Sequence, residues 1–449
     1  MILESLSLVA EEVTLRGDQF FQLYGAFGRP FLNFMNAVFS NLFDISLVIL
    51  TLLSLIYLLT MIYVRFRKKE PFKELPLAGD NVPFVTVQIP TRNEVIALKC
   101  AEKCLEFDYP KGRYEILIGD DSDQADVSKA LAEFASSHDG IKVLKREKNE
   151  GYKPGNLNNM LQYSNGEYIV VFDSDFLPPK DFLRRIIAPM VNDGNIAAVQ
   201  ARWKFSNSDQ NYVSIVGGTI VAIVHRVALP FFNKRRRLSI LCGSAEAVRK
   251  DVLVKLGGWQ NGSLTEDIEY SLRILKNGYR IQYLPQLECE SEVPFKPKDL
   301  YRQQMRWAYG VISAVKEHFK ALFFRKNPLS VEDKLLVLYV FSGYLFTLTI
   351  FAVFAFGILK IITHTPEPIQ FGRFFFETVI NIIWTSGLLI TGVYSIKWAG
   401  SKRSARALVL GAVTYGLVTT YYVNKGIVKV LAGKPMPWFL LSKQGKANS

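Results

Sequence analysis

The chain has 449 residues, of which 49% are hydrophobic, so it is long enough for one large domain together with membrane helices and too long for a single small domain. Its formal net charge of +13 is compatible with nucleic acid, but the many aromatic, apolar segments favour an anionic membrane surface and phosphorylated substrates as its partners. We therefore expect membrane lipids to be a partner and nucleic acid not to be one.

The N-terminal part predicts an interfacial segment and then a membrane span. Residues 1–42 mix apolar, polar and aromatic residues and lack the basic start and cleavage-site pattern of a signal peptide, which predicts an amphipathic segment at the interface. Residues 43–66 contain the uncharged run Ile45–Val64, whose length of about 20 residues is sufficient to cross a bilayer. This run is followed at once by Arg65, Arg67, Lys68 and Lys69. The positive-inside rule therefore predicts an integral membrane protein of the cell membrane whose next domain is cytoplasmic.

Residues 80–310 have the pattern of a soluble α/β domain. Short apolar runs that predict buried strands alternate with stretches that predict helices. The predicted strands are Val85–Ile89, Tyr114–Ile118, Ile141–Leu144 and Tyr168–Phe172. This alternation favours a mostly parallel, doubly wound sheet of Rossmann type. Acidic residues or Gly, Pro and Asn turns follow several strands, so we expect one rim of the sheet to carry the chemistry.

Two carboxylates follow the strand Tyr168–Phe172. Asp173 and Asp175 are one residue apart where a buried strand stops, and in open α/β sheets ligands bind beyond the carboxyl ends of the strands. Carboxylates at this spacing can share one hard divalent cation, which can in turn hold a diphosphate. The alternative for an isolated Asp-x-Asp is a pair of solvated turn residues.

Two further helices are predicted before the C-terminal membrane region. Tyr212–Val224 is apolar but too short to span, and His225 and Arg226 close it, which predicts an amphipathic or buried helix. Residues 311–330 carry aromatic side chains among lysine, histidine and arginine, which predicts an interfacial helix.

Residues 335–430 predict a second membrane region with up to three transmembrane helices. The candidates are Leu335–Leu359, Phe375–Ile396 and Ala407–Val423. With a cytoplasmic catalytic domain, three crossings would place the tail, residues 431–449, on the opposite side of the membrane. The lysines of the tail disagree with that position under the positive-inside rule, so a re-entrant segment is the open alternative.

Four more motifs accompany the Asp-x-Asp. They are Asp120-Asp121 at a strand end, Lys153-Pro154-Gly155-Asn156-Leu157-Asn158, Thr265-Glu266-Asp267 and Gln303-Gln304-Met305-Arg306-Trp307. The first pair could accept hydrogen bonds from a nucleobase or ribose, and the lysine offers a cation near a phosphate. Each motif also has an ordinary reading: turn residues, a surface lysine, acids in the first turn of a helix, or a surface cation–π pair. The order of all the motifs together favours a functional site.

This order resembles the family 2 glycosyltransferases of the GT-A fold, specifically their membrane-embedded, cellulose-synthase-like branch. The matching pieces are Val87 to Glu94, Asp120-Asp121-Ser122, Lys153 to Asn158, Asp173-Ser174-Asp175, Cys242-Gly243-Ser244 with Arg249, Thr265-Glu266-Asp267, and Gln303 with Arg306-Trp307. The resemblance implies an α/β domain of GT-A type, with a mostly parallel sheet, plus transmembrane α-helices. One departure is Pro154, where relatives usually carry alanine, and a proline would stiffen that loop.

The resemblance also implies a role for each motif. Asp267 would be the general base, with Glu266 beside it in the catalytic group. Asp173 and Asp175 would hold Mn²⁺ or Mg²⁺ on the diphosphate of a nucleotide sugar. The donor and its nucleotide would be bound by Pro90, Thr91, Arg92, Glu94, Asp120, Asp121, Lys153 and Asp173. The acceptor and the leaving diphosphate would be bound by Gly243, Ser244, Gln303, Arg306 and Trp307.

These roles predict a membrane-bound, inverting hexosyltransferase that uses a UDP- or GDP-sugar. For the acceptor we favour a lipid-linked one, a polyprenyl or dolichyl phosphate or its glycan, because the chain has few helices with which to build a polymer channel. The alternative is a processive synthase of a growing β-glycan such as cellulose, mannan or hyaluronan, which Gln-x-x-Arg-Trp favours. A third reading is a non-catalytic membrane protein that binds sugar nucleotides. Loss of a catalytic acid would indicate it, yet Asp173, Asp175 and Asp267 are all present.

Overall fold

The computed structural model describes residues 25, 28–66, 77–236, 238–364 and 371–444, so the prediction for residues 1–24 lies outside the described residues. The chain forms two compact units. The first contains the described parts of Met1–Tyr57 and Leu345–Leu388, and the second those of Leu58–Tyr344 and Leu389–Ser449. The sheet and the candidate site both lie within the second unit.

A seven-stranded sheet forms the centre of the second unit. Its strands are β1 (Val85–Thr91), β2 (Tyr114–Asp120), β3 (Ile141–Lys145), β4 (Tyr168–Val171), β5 (Ile196–Phe205), β6 (Glu246–Arg249) and β7 (Arg280–Ser291). The spatial order is β3-β2-β1-β4-β6-β5-β7; β6 is antiparallel to both of its neighbours, and the other pairs are parallel. The strands predicted from apolar runs are β1 to β4, so the mostly parallel sheet is confirmed.

The helices are numbered in chain order. They are α1 (Arg29–Phe66), α2 (Ala97–Leu105), α3 (Ala125–Ser136), α4 (Tyr152–Tyr163), α5 (Phe182–Ile186), α6 (Ala188–Asn192), α7 (Tyr212–Ile223), α8 (Leu229–Arg236), α9 (Lys250–Lys255), α10 (Glu266–Lys276), α11 (Pro297–Phe323), α12 (Val331–Thr363), α13 (Phe371–Thr385), α14 (Gly387–Trp398), α15 (Ala405–Gly411) and α16 (Leu417–Leu431). π-helical turns join α7 to α8 and α15 to α16.

The central strands of the sheet are covered on both faces. All seven residues of β1 are buried. In β2, Ile116 and Ile118 belong to one hydrophobic cluster, which includes Cys100 and Cys104 of α2, whereas Leu117 belongs to a second cluster with residues of α4 and α10. Successive side chains of a strand point to opposite faces of the sheet, so a continuous apolar run packs against helices on both faces.

The strand order places a crevice where the sequence predicts the site. From β1 the chain proceeds to β2 and β3 on one side and returns to β4 on the other side of β1. Loops that leave the carboxyl ends of such strands diverge and open a ligand crevice. Thr91 ends β1, and Asp173 follows β4 by two residues, so both predicted donor-binding segments enter the same crevice.

The helix predicted for Tyr212–Val224 does not end at His225. It continues through the π-helical turn Val224–Ala228 into α8, and the apolar helix Tyr212–Asn233 has 22 residues, long enough to cross a membrane. The prediction that this segment is too short to span is therefore wrong. The helix tolerates His225 because the ring is buried and stacks on Trp203 at a centroid distance of 5.2 Å. Burial is the correct part of the prediction, since 56% of the most apolar stretch is buried in the protein.

Among the described residues, three helices are long and apolar enough to cross a membrane, and a bent pair is a fourth candidate. The three are Arg29–Phe66, Tyr212–Asn233 and Val331–Thr363. The bent pair, Phe375–Thr385 and Gly387–Trp398, turns by 46° within the region Phe375–Ile396, which is predicted as one transmembrane helix. The helical segment from Ala405 to Leu431 is not among the helices that are long and apolar enough to cross a membrane, although the sequence predicts a third span within it.

In the first unit, polar side chains join the candidate membrane helices. Asn36 donates a hydrogen bond to the Lys360 carbonyl at 2.7 Å, and Ser54 donates to the Thr385 carbonyl at 2.6 Å. Leu53 and Phe346 belong to one buried hydrophobic cluster. Such hydrogen bonds satisfy polar groups that lipid cannot, so they specify how the helices pair.

The last part of the chain returns to the catalytic domain. The predicted interfacial helix 311–330 is the second half of α11, which begins at Pro297 and ends at Phe323. α16 packs closely along α11. At Gly426 the two backbones approach so closely that a Cβ would lie only 2.6 Å from the Met305 carbonyl oxygen. Residues 436–444 then lie beside the sheet crevice, with Met436 buried against Met305. Of the two possibilities left open for the tail, this position favours the re-entrant segment over three crossings, because the tail lies beside the sheet crevice.

Candidate active site

A cavity of about 190 Å³ opens at the carboxyl ends of β1 and β4. It brings together all but two of the site residues predicted from the sequence. Those that line it are Pro90, Thr91, Arg92, Glu94, Asp121, Lys153, Asp173, Asp175, Gly243, Glu266, Asp267, Gln303, Arg306 and Trp307. The two that do not, Asp120 and Ser244, are buried.

Asp120 and Ser244 support the cavity from behind instead of facing a ligand. Asp120 Oδ1 accepts the Ser122 backbone N–H at 2.8 Å, and its Oδ2 lies 3.2 Å from the Lys145 ammonium, so this side chain shapes the turn after β2. Ser244 Oγ accepts the backbone N–H of Asp173 at 2.8 Å. Both residues therefore position neighbours that do face the cavity.

Of the two acids Asp120 and Asp121, only Asp121 faces the cavity, and its carboxylate is held by Arg146. The guanidinium is bidentate: Nε donates to Oδ1 at 2.7 Å and Nη2 donates to Oδ2 at 2.5 Å. Arg146 also donates to the carbonyls of Glu150 and Tyr152, which ties the loop before α4 to the strand end. A planar fork of this kind fixes the carboxylate in one orientation, as recognition of a nucleoside would require.

Each carboxylate of the Asp-x-Asp holds a lysine. Lys153 Nζ lies 2.7 Å from Asp173 Oδ1, and Lys443 Nζ lies 2.7 Å from Asp175 Oδ1. Asp175 Oδ2 accepts a hydrogen bond from Ser291 at 2.6 Å. Burial alone would raise the pKa of Asp175, but Lys443 and Ser291 lower it below its ordinary value. Asp175 is therefore an anion in a buried position.

The two aspartates suit a divalent cation. Both side chains offer only oxygen ligands, which Mg²⁺ and Mn²⁺ prefer. Each carboxylate already forms an ion pair with a lysine, so its surroundings accommodate a positive charge. Within the described residues no three His, Cys, Asp or Glu side chains converge on a possible metal position. Two carboxylates fit the way such ions are usually held with nucleotides, where phosphate oxygens and water supply the remaining ligands.

Lys153 connects both walls of the cavity. Its ammonium contacts the Gly243 carbonyl oxygen at 2.5 Å, Asp173 at 2.7 Å and Glu266 at 3.0 Å. Burial alone would lower the pKa of Lys153, but Asp173 and Glu266 raise it, so the side chain stays charged. Pro154 does not stiffen a loop as predicted; it lies in the first turn of α4, where no intrahelical N–H bond is lost.

Asp267 lies at the second residue of α10, opposite the Asp-x-Asp. Burial and the neighbouring Glu266 raise the pKa of Asp267 to about 7, although Lys153 opposes them. Gly243 faces this carboxylate with φ +88°, and a Cβ there would lie 3.3 Å from Asp267 Oδ2. A glycine is thus required both by the left-handed backbone and by the close approach. The result is a carboxylate poised to titrate near neutral pH.

Residues 83–310, just over half of the chain, match the family described as Glycosyltransferase like family 2. The chain belongs to the family 2 glycosyltransferases. The resemblance seen in the sequence is confirmed. The α/β sheet with its crevice is the GT-A catalytic fold of an enzyme.

Curated relatives and a solved structure agree with this assignment. The glycosyltransferase is 26% identical to glucomannan 4-beta-mannosyltransferase 2 of Arabidopsis thaliana over 397 residues, 86% of this chain and 72% of that protein. It is 26% identical to glucomannan 4-beta-mannosyltransferase 1 of Oryza sativa subsp. japonica, with 84% and 72% covered. Its fold is similar to that of the mannosyltransferase PcManGT from Pyrobaculum calidifontis, solved in complex with GDP-Man and Mn²⁺, with a TM-score of 0.63, 19% identity, and 89% and 100% of the two chains covered.

In this glycosyltransferase, α11 places Gln303, Arg306 and Trp307 on the cavity wall. Residues three and four apart share one helical face, which explains why the motif has this spacing. Arg306 donates to the Leu264 carbonyl at 2.8 Å, and its guanidinium lies 4.2 Å from the centre of the Trp438 ring. The motif thus presents a fixed cation and an indole toward the cavity.

Sequence reasoning missed several residues that line the cavity of the glycosyltransferase. They include Asn149, and Trp203 and Phe205 of β5. The C-terminal residues Trp438–Lys443 line it as well. The aromatic pair Trp438-Phe439 in a basic tail was a weak signal, but only the assignment of the tail to the catalytic side would have made it meaningful.

Proposed function

We propose that this glycosyltransferase transfers mannose from GDP-mannose, with inversion at the anomeric carbon, to a hydroxyl group of a membrane-associated glycan. The observation that carries this proposal is the cavity, where Asp267, with a pKa raised to about 7, faces the Asp173–Lys153 pair across the Gly243 turn. An inverting transfer needs one base on the attacking side and positive charge on the leaving side.

The choice of donor rests on the relatives. The similar plant enzymes are named 4-beta-mannosyltransferases, and the similar solved fold was determined with GDP-Man. GDP-mannose carries its sugar in an α linkage, so a single displacement gives a β-mannoside. Asp121, held by Arg146, would accept hydrogen bonds from the nucleoside, and Thr91 and Arg92 would line the same half of the cavity.

The residues of the chain would divide the chemistry between the two walls. Asp267 removes the proton from the acceptor hydroxyl. At the same time the acceptor oxygen attacks the anomeric carbon, and the bond between this carbon and the GDP oxygen breaks. Lys153 and Arg306 stabilise the negative charge that develops on the diphosphate. A Mn²⁺ or Mg²⁺ ion bound by Asp173 and Asp175 would add Lewis-acid charge on the same diphosphate. Trp307 would stack on the acceptor sugar.

For the acceptor, the relatives favour the growing end of a β-glycan. A lipid-linked glycan is the second candidate, and two observations favour it. The apolar half of the cavity includes Val221 of the candidate membrane helix Tyr212–Asn233, together with Val293 and Pro294. In addition, at most four candidate spans occur among the described residues, which is few for a polymer channel. We also propose that the catalytic domain faces the cytoplasm, where nucleotide sugars are available, in line with the basic residues after α1.

The test is sugar transfer by the purified enzyme in liposomes that contain polyprenyl-phosphate-linked oligosaccharide, with soluble β-mannan oligosaccharides added as the competing acceptor. Labelled GDP-mannose, GDP-glucose and UDP-glucose are compared in the presence of Mn²⁺. We expect label from GDP-mannose only, and about 10²–10⁴-fold slower product formation with the Asp267→Asn variant, which should still bind donor. Product in the organic phase identifies the lipid-linked acceptor, and an extended oligosaccharide or polymer identifies the glycan. Transfer from UDP-glucose alone would contradict the donor assignment.

A further inference from the structure

We propose that Glu246 is a positioning residue for the transfer step: its carboxyl oxygen fixes the peptide group of Gly243 and so determines where Asp267 lies. The proposal rests on the proposed function for the role of Asp267 as the base. It adds to the site a residue that lies behind the cavity and that the sequence motifs do not point to.

Glu246 is the first residue of β6, in the middle of the sheet. Because β6 is antiparallel to its neighbours, Glu246 pairs with Val171, the last residue of β4, and with Gln200 of β5. It therefore lies at the rim of the sheet where Asp173 follows β4. The residue is only 1% exposed. A buried carboxyl group is unfavourable unless it is hydrogen-bonded, so its hydrogen bond indicates its role.

Side chains hold Gly243 from two sides. Its backbone N–H donates to Glu246 Oε2 at 2.9 Å, and its carbonyl oxygen accepts from Lys153 Nζ at 2.5 Å. On a third side, a Cβ at this position would lie 3.3 Å from Asp267 Oδ2 and 3.6 Å from Lys153 Nζ. The backbone of Gly243 thus fills the gap between the base and the ammonium group, and Glu246 fixes this backbone from behind.

The turn before β6 requires such support because its backbone is strained. Gly243 has φ +88° and Ala245 has φ +50°, and this left-handed region is unfavourable for alanine. Strained residues persist only where their surroundings hold them, and they cluster at active sites. Gln200 Nε2 donates to the Ser244 carbonyl of this turn at 2.9 Å. For the Gly243 N–H the corresponding partner is Glu246.

The surroundings of Glu246 favour an uncharged carboxyl group. Burial and Asp267 raise the pKa of Glu246 well above its ordinary value, although Lys153 opposes them. The titratable groups that face it are Asp267 and Glu266 of α10, Lys153 of α4 and the thiol of Cys242. A neutral carboxyl group accepts the backbone N–H without placing another negative charge beside the base. Glutamine has the same shape and the same kind of acceptor, so it should replace Glu246 in this role.

The first experiment compares Glu246→Met and Glu246→Gln with the wild type. It measures single-turnover transfer of labelled mannose from GDP-mannose in the presence of Mn²⁺, with donor affinity determined in parallel. In Glu246→Met we expect the rate to fall about ten- to a hundredfold, because a released turn lets Asp267 leave its position, and the donor Kd to change less than about twofold. Glu246→Gln should transfer within about twofold of the wild-type rate, since it keeps the acceptor oxygen.

A wild-type rate in Glu246→Met overturns the proposal. A rate in Glu246→Gln that is more than about tenfold below that of the wild type also overturns it, whether or not Glu246→Met folds. The matched control is Glu115→Met, because Glu115 is another buried glutamate and accepts the Asn165 N–H at 2.7 Å. Glu115 lies near the amino end of β2, away from the cavity rim, so its loss should lower stability and leave the rate of the folded enzyme unchanged.

A double variant separates this proposal from the proposed function. If Glu246 acts through the base, the loss of rate in Glu246→Met should not add to the loss in Asp267→Asn. Losses that add fully overturn the positioning role and leave the base assignment intact. A wild-type rate in Asp267→Asn alone would instead refute the proposed function.

The second experiment uses neither donor nor acceptor. Amide hydrogen exchange in residues 241–248 is followed by mass spectrometry in the wild type and in both Glu246 variants. We expect the Gly243 N–H to exchange at least about tenfold faster in Glu246→Met and to stay protected in Glu246→Gln. Unchanged protection in Glu246→Met overturns the proposal. An error in the assigned donor would appear in the transfer assay and not in this measurement.

Discussion

The environment of Asp267 makes a quantitative prediction about pH. An aspartate in water has a pKa near 3.9, so an ordinary aspartate base would be charged already at about pH 6 and the rate would not change above it. Burial and Glu266 raise the pKa of Asp267 to about 7. The carboxylate fraction therefore rises from about one-tenth at pH 6 to about nine-tenths at pH 8, and the transfer rate should rise about tenfold over this interval because only the carboxylate can accept the proton.

A second perturbation tests the cause of the shift. In Glu266→Gln the negative charge next to Asp267 is removed, and Lys153, which lowers the pKa of Asp267, loses one of its partners. Both changes favour the charged form, so the midpoint of the pH–rate profile should move to lower pH. Asp267→Asn should lower the rate by about 10²–10⁴-fold at every pH, since a general base typically contributes that much.

The assay is single-turnover transfer at saturating donor and acceptor from pH 5.5 to 9, with donor affinity measured at each pH as the control. A profile that is flat between pH 6 and pH 8 at constant donor affinity would refute the assignment of Asp267 as the base in this environment. A midpoint that does not move in Glu266→Gln would leave the base assignment intact and refute the electrostatic reason given for its pKa.

Three other predictions concern a glycine, a buried ion pair and the metal. Gly243→Ala should reduce turnover more than tenfold because its methyl group would meet Asp267, whereas Gly112→Ala, with φ +79° and open space, should cause only backbone strain of about 1–2 kcal/mol and no loss of turnover. Glu269→Gln breaks a buried pair and should lower the free energy of unfolding by about 3–5 kcal/mol. Glu133→Gln, which breaks an exposed pair, should change the free energy of unfolding by less than about 0.5 kcal/mol. Both variants are measured by thermal unfolding, and equal losses of stability in Glu269→Gln and Glu133→Gln would contradict this reasoning. Excess EDTA should abolish transfer and Mn²⁺ should restore it, and full activity in the chelator would exclude a metal at the Asp-x-Asp.

Much of the catalytic domain follows from local sequence. The strands β1 to β4 could be located because a continuous apolar run buried on both faces does not depend on distant residues. The carboxyl ends of parallel strands meet at one rim, so Thr91, Asp121 and Asp173 could be assigned to one cavity before their positions were known. The motif spacing in α11 is a helical period, which explains why Gln303 and Arg306 share a face.

Where the prediction failed, the error came from treating a local signal as final. A polar residue is unfavourable in an apolar run, so the local pattern predicts that the helix ends at His225, yet the stacking of His225 on Trp203 allows the helix to continue. The motif predicts Pro154 in a loop, whereas it lies in the first turn of α4, where a proline removes no hydrogen bond. Asp120 and Asp121 could not be distinguished, because only the packing of Lys145 and Arg146 decides which acid faces the cavity.

The sequence by itself determined the family, the sheet, and which acids and bases surround the cavity, since these depend on patterns within short stretches of chain. Only the tertiary structure decided where the tail lies. Lys443 meets Glu94 across a separation of 349 residues, and no periodicity or spacing can encode such a contact. It is set by the packing of α16 on α11, which places the tail beside the Asp-x-Asp, and by the attraction between one ammonium group and two buried carboxylates.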